Sequence, residues 1–292
     1  IGQFGNGPEE YISLKSFFIN EKRGHVTIID EMKSSFITYD LKGKFVSSIP
    51  IPLNNIKSAN YALLTGDNKL LINYLISFED NKAYSFMNNK NFTKIENIFN
   101  YYPIEVSGYM YPFSDHPMTK SDDGIDFIMP LSDTVFNFDK GVTKPKFLIE
   151  TPSKIAPKEY FKTDIKNSYN YLLYEYSKKG YFPGFESIFE TTHHILLNYK
   201  KDGIILGYYI ANKKEQKGTY LLYTMNNKIE KVPFFGIKCS DPNYFIGVSS
   251  AQDLLNIRNQ IKENDETMEL NKIINNLKFD DNPVLFLYEI IY

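Results

Sequence analysis

An all-β chain of the β-propeller class is what this sequence predicts, and three observations carry that prediction. Short β-branched and aromatic runs are bounded by Asp, Asn and Gly turns, as in Phe36-Ile37-Thr38-Tyr39 followed by Asp40-Leu41-Lys42-Gly43-Lys44. This strand–turn unit recurs: its turn residues Asp40, Asn88 and Asp139 lie 48 and 51 residues apart. Propeller blades, each a four-stranded meander, repeat at about 40 to 50 residues. The aromatic content, 23 Tyr and 23 Phe with no Trp, suits many half-buried sheet surfaces.

In chain order, Gly2 to Tyr11 holds three glycines and a proline between apolar residues, a turn between strands. It is not a phosphate loop, since no Lys-Ser/Thr follows and no helix opens. His25-Val26-Thr27-Ile28-Ile29-Asp30 reads as a strand closed by Gly24 on one side and a charged turn on the other. Leu70-Leu71-Ile72 sits in a continuous apolar run that suits a strand buried on both faces. Val135-Phe136-Asn137-Phe138 leads into the turn Asp139-Lys140-Gly141. A fourth unit, Leu221 to Met225, leads into Asn226-Asn227-Lys228, 87 residues beyond Asp139. The excess falls in Thr151 to Phe185, read as a long inter-blade excursion with one short helix. The blades are assigned as 12–58, 59–104, 105–150 and 186–236, with a last, incomplete one from 237.

One segment breaks the β pattern. Ser250-Ala251-Gln252-Asp253 forms a capping box ahead of Leu254, Ile257 and Ile261, and Leu270, Ile273, Ile274 and Leu277 continue at helical spacing. Glu263 to Glu266 divides two helices, and Asn282-Pro283 ends the insertion before a final strand from Val284. The whole of 1–292 is thus a single propeller domain with a helical insertion at about 250–278.

Four patches carry a family resemblance. Ile1-Gly2 through Tyr11 resembles the Ile-Gly-x-x-Gly-x-Gly-Pro-Gly-Glu-Tyr signature of the six-bladed β-propeller proteins of gut Bacteroidetes, with Glu9 where that family has glycine. Ser132-Asp133-Thr134-Val135-Phe136 followed by Lys144-Pro145-Lys146-Phe147, then Ile188-Phe189-Glu190-Thr191, and Asp280-Asp281-Asn282-Pro283-Val284-Leu285 are similar to further patches of the same family, in the same order. The resemblance implies an exported, often lipid-anchored protein, periplasmic or outer-membrane-associated, with a glycan or protein ligand. It also implies six blades where five units are visible, so the expectation is that a blade's worth of chain, with any leader and anchor, lies upstream of Ile1. A five-bladed ring is the alternative.

Composition narrows function mainly by exclusion. A hydrophobic content of 42% supports a real core. A balance of 33 basic against 35 acidic residues gives no electrostatic case for nucleic acid or an anionic membrane. No apolar run reaches the length of a membrane span. Cys239, the one cysteine, cannot form an internal disulfide and has no histidine beside it in sequence to activate it. His193 and His194 point to opposite faces of a strand, one half-buried and one exposed, and cannot chelate one ion together. Asp122-Asp123-Gly124-Ile125-Asp126 lacks the remaining ligands of a calcium loop and reads as a turn. No catalytic, cofactor or metal residue is assigned. The ligand-binding candidates are Tyr109, Tyr111, Asp115 and His116, an aromatic loop beside an acid and a histidine.

Three functions remain open. The first is a non-catalytic binding or scaffolding propeller of the cell envelope. The second is a glycan-cleaving enzyme, hydrolase or lyase, using channel-mouth carboxylates with perturbed pKa values. The third is a structural partner module with a large apolar patch.

Overall fold

The structure, a computed structural model, describes residues 2–50, 59–67, 69–74, 82–88, 94–100, 116–129, 131–155, 157, 175–201, 205–222, 236–261 and 268–290. The chain divides into two compact units, Ile1–Ile188 with Lys201–Ile204, and Phe189–Lys200 with Ile205–Tyr292.

The first unit holds three antiparallel meanders. Blade 1 is β1 (Leu14–Asn20), β2 (His25–Asp30), β3 (Ser35–Asp40) and β4 (Phe45–Pro50). Blade 2 is β5 (Ala59–Leu64), β6 (Lys69–Tyr74), β7 (Lys82–Asn88) and β8 (Lys94–Asn100). Blade 3 is β9 (Met118–Ser121), β10 (Gly124–Ile128), β11 (Thr134–Asp139) and β12 (Val142–Leu148). Blade 4, whose β13 (Ser187–Glu190) begins at the division, continues as β14 (His194–Lys201), β15 (Ile205–Asn212) and β16 (Lys217–Leu222). Blade 5 pairs β17 (Ile237–Ser240), β18 (Phe245–Ser249) and β19 (Val284–Tyr288). The protein is therefore an all-β propeller with five blades among the described residues.

The two-residue side-chain period decides which faces pack. Leu70 and Ile72 of β6 join Ala62 and Met87 against Phe18, Ile29 and Phe36 of blade 1. Leu71, between them, faces the other way with Tyr84 and Phe86, against Met118, Ile125, Phe127 and Phe138 of blade 3. Burying each such side chain contributes about 1.5–3 kcal/mol, so β6 stabilises both interfaces at once. The Tyr84 ring lies 4.6 Å from that of Phe127, and its hydroxyl donates to the Ile128 carbonyl at 2.6 Å. Burial drives the Tyr84 phenol pKa far up, so it stays protonated as that donor. The fourth strands are edges. β12 carries Lys144, Pro145 and Lys146, with a register shift between Val135 and Phe136 on its partner β11, and exposes Val142 and Leu148.

In the second unit, Phe189, Leu196, Tyr208 and Ile210 of blade 4 pack with Ile237 and Phe245 of blade 5. The helical insertion is α1 (Ala251–Ile257) and α2 (Met268–Asn276), placed between β18 and β19. The Ser250 hydroxyl caps α1, accepting from the Asp253 amide at 3.1 Å and donating to its carboxylate at 2.6 Å. Leu254, Leu270 and Ile274 then pack on Phe286 of β19. Ile273 is exposed, on the outer side of α2. The dividing segment Glu263 to Glu266 lies outside the described residues.

Two turns match their sequence chemistry directly. Asp40 Oδ1 accepts from the Lys42 and Lys44 amides, both at 2.9 Å, and Gly43 takes φ 85°. Lys140 and Gly141 have φ 48° and 87°, the two-residue hairpin loop whose twist matches its strands. The fourth unit needs a correction. Its third-to-fourth-strand turn starts at Asn212, whose Oδ1 accepts from the Lys214 and Glu215 amides at 3.0 and 3.1 Å. Leu221 and Leu222 close blade 4 as its outer strand, paired with Tyr208 and Gly207. Asn226, where the sequence places this turn, lies outside the described residues. Within the excursion, residues 175–178 form one helical turn, and an isolated bridge joins Ile155 to Phe182.

Candidate functional site

A cavity of about 440 Å³ opens at one end of blades 1 to 3, inside the first unit. It is walled by the turns that join the first and second strands of these blades, after Asn20, Leu64 and Ser121, and by the Asp139-Lys140 turn of blade 3. Blade topology explains the convergence: an odd-to-even hairpin turn lies at the same end of every meander. Ile19 and Leu64 provide apolar wall and the turn residues provide charge.

The charges pair across the gap. Lys120 Nζ lies 2.6 Å from Glu21 Oε1, tying blade 3 to blade 1. Lys22 Nζ donates to the Gly66 carbonyl of blade 2 at 3.4 Å. The hydrogen bond and charge of Lys120 hold the Glu21 carboxyl below the usual glutamate range. At Asp123, burial pushes upward, but the Lys146 hydrogen bond and charge, with the Ser121 hydroxyl, outweigh it and the carboxyl ends below the ordinary value.

The Asp122 to Asp126 run has a definite architecture. Asp126 is fully buried, with one oxygen accepting from Asn137 Nδ2 at 2.8 Å and Ser121 Oγ at 3.1 Å. Its other oxygen meets Lys146 Nζ at 2.7 Å, and the same ammonium lies 2.8 Å from Asp123 Oδ1. A lysine ammonium thus occupies the position between the two carboxylates that a cation would need. No grouping of His, Cys, Asp and Glu fit to hold a metal occurs among the described residues. Gly124 takes φ 141° at this turn, and a Cβ there would run into the Phe138 carbonyl.

Of the sequence candidates, His116 is buried, 8% exposed. Its backbone carbonyl accepts from the Ile188 amide at 2.9 Å, and its Nδ1 lies 2.7 Å from the Ile188 carbonyl. The ring leans on Tyr61 at 4.9 Å. His116 therefore clamps the entry of β9 to β13. Tyr109, Tyr111 and Asp115 lie outside the described residues. His193 is exposed and His194 buried, as their alternation requires. Burial, with the charges of His193 and Lys213, lowers the His194 pKa. Cys239 is exposed, and partial desolvation with Asp241 raises its thiol pKa, the reverse of an activated nucleophile.

The second unit holds a buried ion pair that sequence reading missed: Lys213 Nζ lies 2.7 Å from Glu190 Oε1 and donates to the Thr191 carbonyl at 2.8 Å. The Gly2 to Tyr11 stretch is pinned to blade 1. Lys33 Nζ donates to the Gly7 and Glu10 carbonyls, each at 2.6 Å, and the Tyr39 hydroxyl donates to the Glu9 carbonyl at 2.6 Å. Gly7 N–H donates to Glu10 Oε2 at 2.7 Å. Glu9 is not among the residues with left-handed backbone, so this turn accepts a side chain where the resembled signature has glycine.

Comparison with known proteins agrees with this fold. A Bacteroides fragilis protein inferred to be exported superposes with a TM-score of 0.76 at 18% identity, covering 98% of this chain and 80% of its own. A DUF4221 family member from Bacteroides vulgatus superposes with a TM-score of 0.50 at 10% identity, covering 74% of this chain and 69% of its own. Among curated proteins no relative matches the chain. No helix among the described residues is long and apolar enough to cross a membrane. Residues 1–289 match the model of the family described as Domain of unknown function DUF4934, and the chain belongs to that family.

Proposed function

We propose that this protein is a non-catalytic binding propeller of the bacterial cell envelope, taking a glycan-related or protein ligand, with six blades in its complete ring. The observation that carries this reading is the cavity at the turns of blades 1 to 3, whose acids are matched by lysines. In most glycoside hydrolases a carboxylic acid held protonated by a raised pKa donates to the leaving group. Among the described residues the carboxylates whose pKa is displaced, Glu21, Asp67 and Asp123, all move downward, so none of these three has the character of that acid. Export agrees with the fold shared with the Bacteroides fragilis protein.

The test incubates the protein with an array of envelope glycans and follows both retention and products by mass spectrometry. Retention without new reducing or unsaturated ends is expected, while turnover would overturn the reading in favour of the enzyme. Alanine at Tyr109, Tyr111 and Asp115 tests the aromatic loop in the same assay: retention weakens if that loop contributes.

A further inference from the structure

We propose that the cavity of the first unit is a subsite for a neutral, polyhydroxylated ligand, a saccharide ring held by hydrogen bonds to paired charges. The inference rests on the binding reading above and gives it a place and a ligand class.

The volume, about 440 Å³, falls within the range of small-molecule sites, about 300–1,000 Å³. The wall is polar and carries both signs, which leaves three ligand types to weigh: an anion, a cation or zwitterion, and a neutral polyol. An anion drawn to Lys22, Lys120 and Lys140 would also meet Glu21, Asp122, Asp123 and Asp139 in the same wall. A cation would compete with Lys146, already 2.8 Å from Asp123 and 2.7 Å from the buried Asp126. Either charge would be attracted by one set of wall residues and repelled by the other. A hydroxyl group avoids that cost. A carboxylate has about four lone-pair sites and an ammonium three donors, so an ion pair retains capacity for hydroxyls that donate to one member and accept from the other.

The remaining wall agrees with this class. Ile19 and Leu64 offer apolar surface suited to the C–H face of a ring, and the Thr65 and Ser121 hydroxyls add further polar groups. Among the described residues no aromatic side chain lines the cavity, and its polar groups are those placed to meet ligand hydroxyls. Gly66 leaves its stretch of wall open: a Cβ built there meets nothing within 4 Å, and its backbone needs no left-handed φ. Gly236, in the second unit, is equally open and lines no part of this cavity.

These two glycines define the experiment. The isotope-labelled protein is titrated with neutral sugars (mannose, galactose and N-acetylglucosamine) and with charged comparators (glucuronate and glucosamine), following backbone amide shifts at low and high salt. At least one neutral sugar is expected to shift the amides of Gly66, Ser121 and Gly124, with an affinity that salt leaves unchanged. Gly66→Leu is expected to abolish those shifts and Gly236→Leu to preserve them, both at unchanged Tm. Stronger, salt-sensitive binding of a charged comparator would overturn the proposal, as would persistence of binding in Gly66→Leu. Shifts confined to other amides would overturn the cavity assignment while leaving the binding function standing. Retention of no glycan in the array assay would remove the glycan-binding function as well.

Discussion

The turns joining first and second strands meet differently in the two units. In the first they stand apart, and long charged side chains bridge them, Lys120 reaching Glu21 and Lys22 reaching Gly66. In the second the backbones themselves meet. The Thr192 amide donates to the Pro242 carbonyl at 2.8 Å, and within blade 4 the Lys213 amide of the third-to-fourth-strand turn donates to the His193 carbonyl at 2.9 Å. Short or compact residues, Thr192 and Pro242, let the chains approach, whereas Glu21, Lys22 and Lys120 hold open a space that side chains cross. One topology thus carries a cavity among the turns of the first unit and a backbone contact between turns of the second. Both units also neutralise a buried acid with one lysine, Asp126 with Lys146 and Glu190 with Lys213.

The largest effect tests that shared device. Lys146→Met and Lys213→Met each leave a buried carboxylate without its cation and should cost about 3–5 kcal/mol by urea denaturation. Restoring neutrality with Asp126→Asn or Glu190→Gln in the same chain should recover much of the loss. A cost below about 1 kcal/mol for either lysine would break the parallel between the units.

A smaller effect follows from pH. The folded-state pKa values of Asp123 and Glu21 are depressed, so their stabilising contribution is present above the unfolded-state values and is lost as pH falls through the folded ones. Below the ordinary carboxylate range, amide exchange should therefore quicken at the cavity turns of the first unit. The same acid-induced opening at the Thr192 amide, which bonds the Pro242 carbonyl, would show that charge is not what distinguishes the two.

The smallest effect is expected at the bridging pair itself. Lys120 and Glu21 side chains are 50% and 74% exposed, so Lys120→Ala should change stability by less than about 1 kcal/mol. Its signature should be local, a shift of the Glu21 carboxyl resonance titration toward its ordinary range. A loss as large as that of Lys146 would mean that the bridge supports the fold rather than shaping the cavity.

Much of the architecture was legible because its signals are local. Asp40 and Ser250 accept from amides within four residues, and Asp139 pairs with Val142 across a two-residue loop, so these turns and the cap can be read from adjacent positions. The register of blade 4 was misread for the same reason. Both Asn212 and Asn226 carry turn chemistry, and only pairing of β15 with β16 shows that Asn212 closes the hairpin. His116 stands among the ligand candidates with Tyr109, Tyr111 and Asp115, and nothing adjacent to it in sequence announces Ile188, 72 residues away, as its hydrogen-bond partner.

By itself the order of residues determined the meander, the blade boundaries and the capped helical insertion, because strand period, turn chemistry and helix capping act over a few positions. Only the tertiary structure decided which charges meet. Lys120 and Glu21 are 99 residues apart, and Lys146 finds Asp126 through two intervening strand reversals. Ion pairing is set by distance in space, and that distance exists only once the sheets have packed.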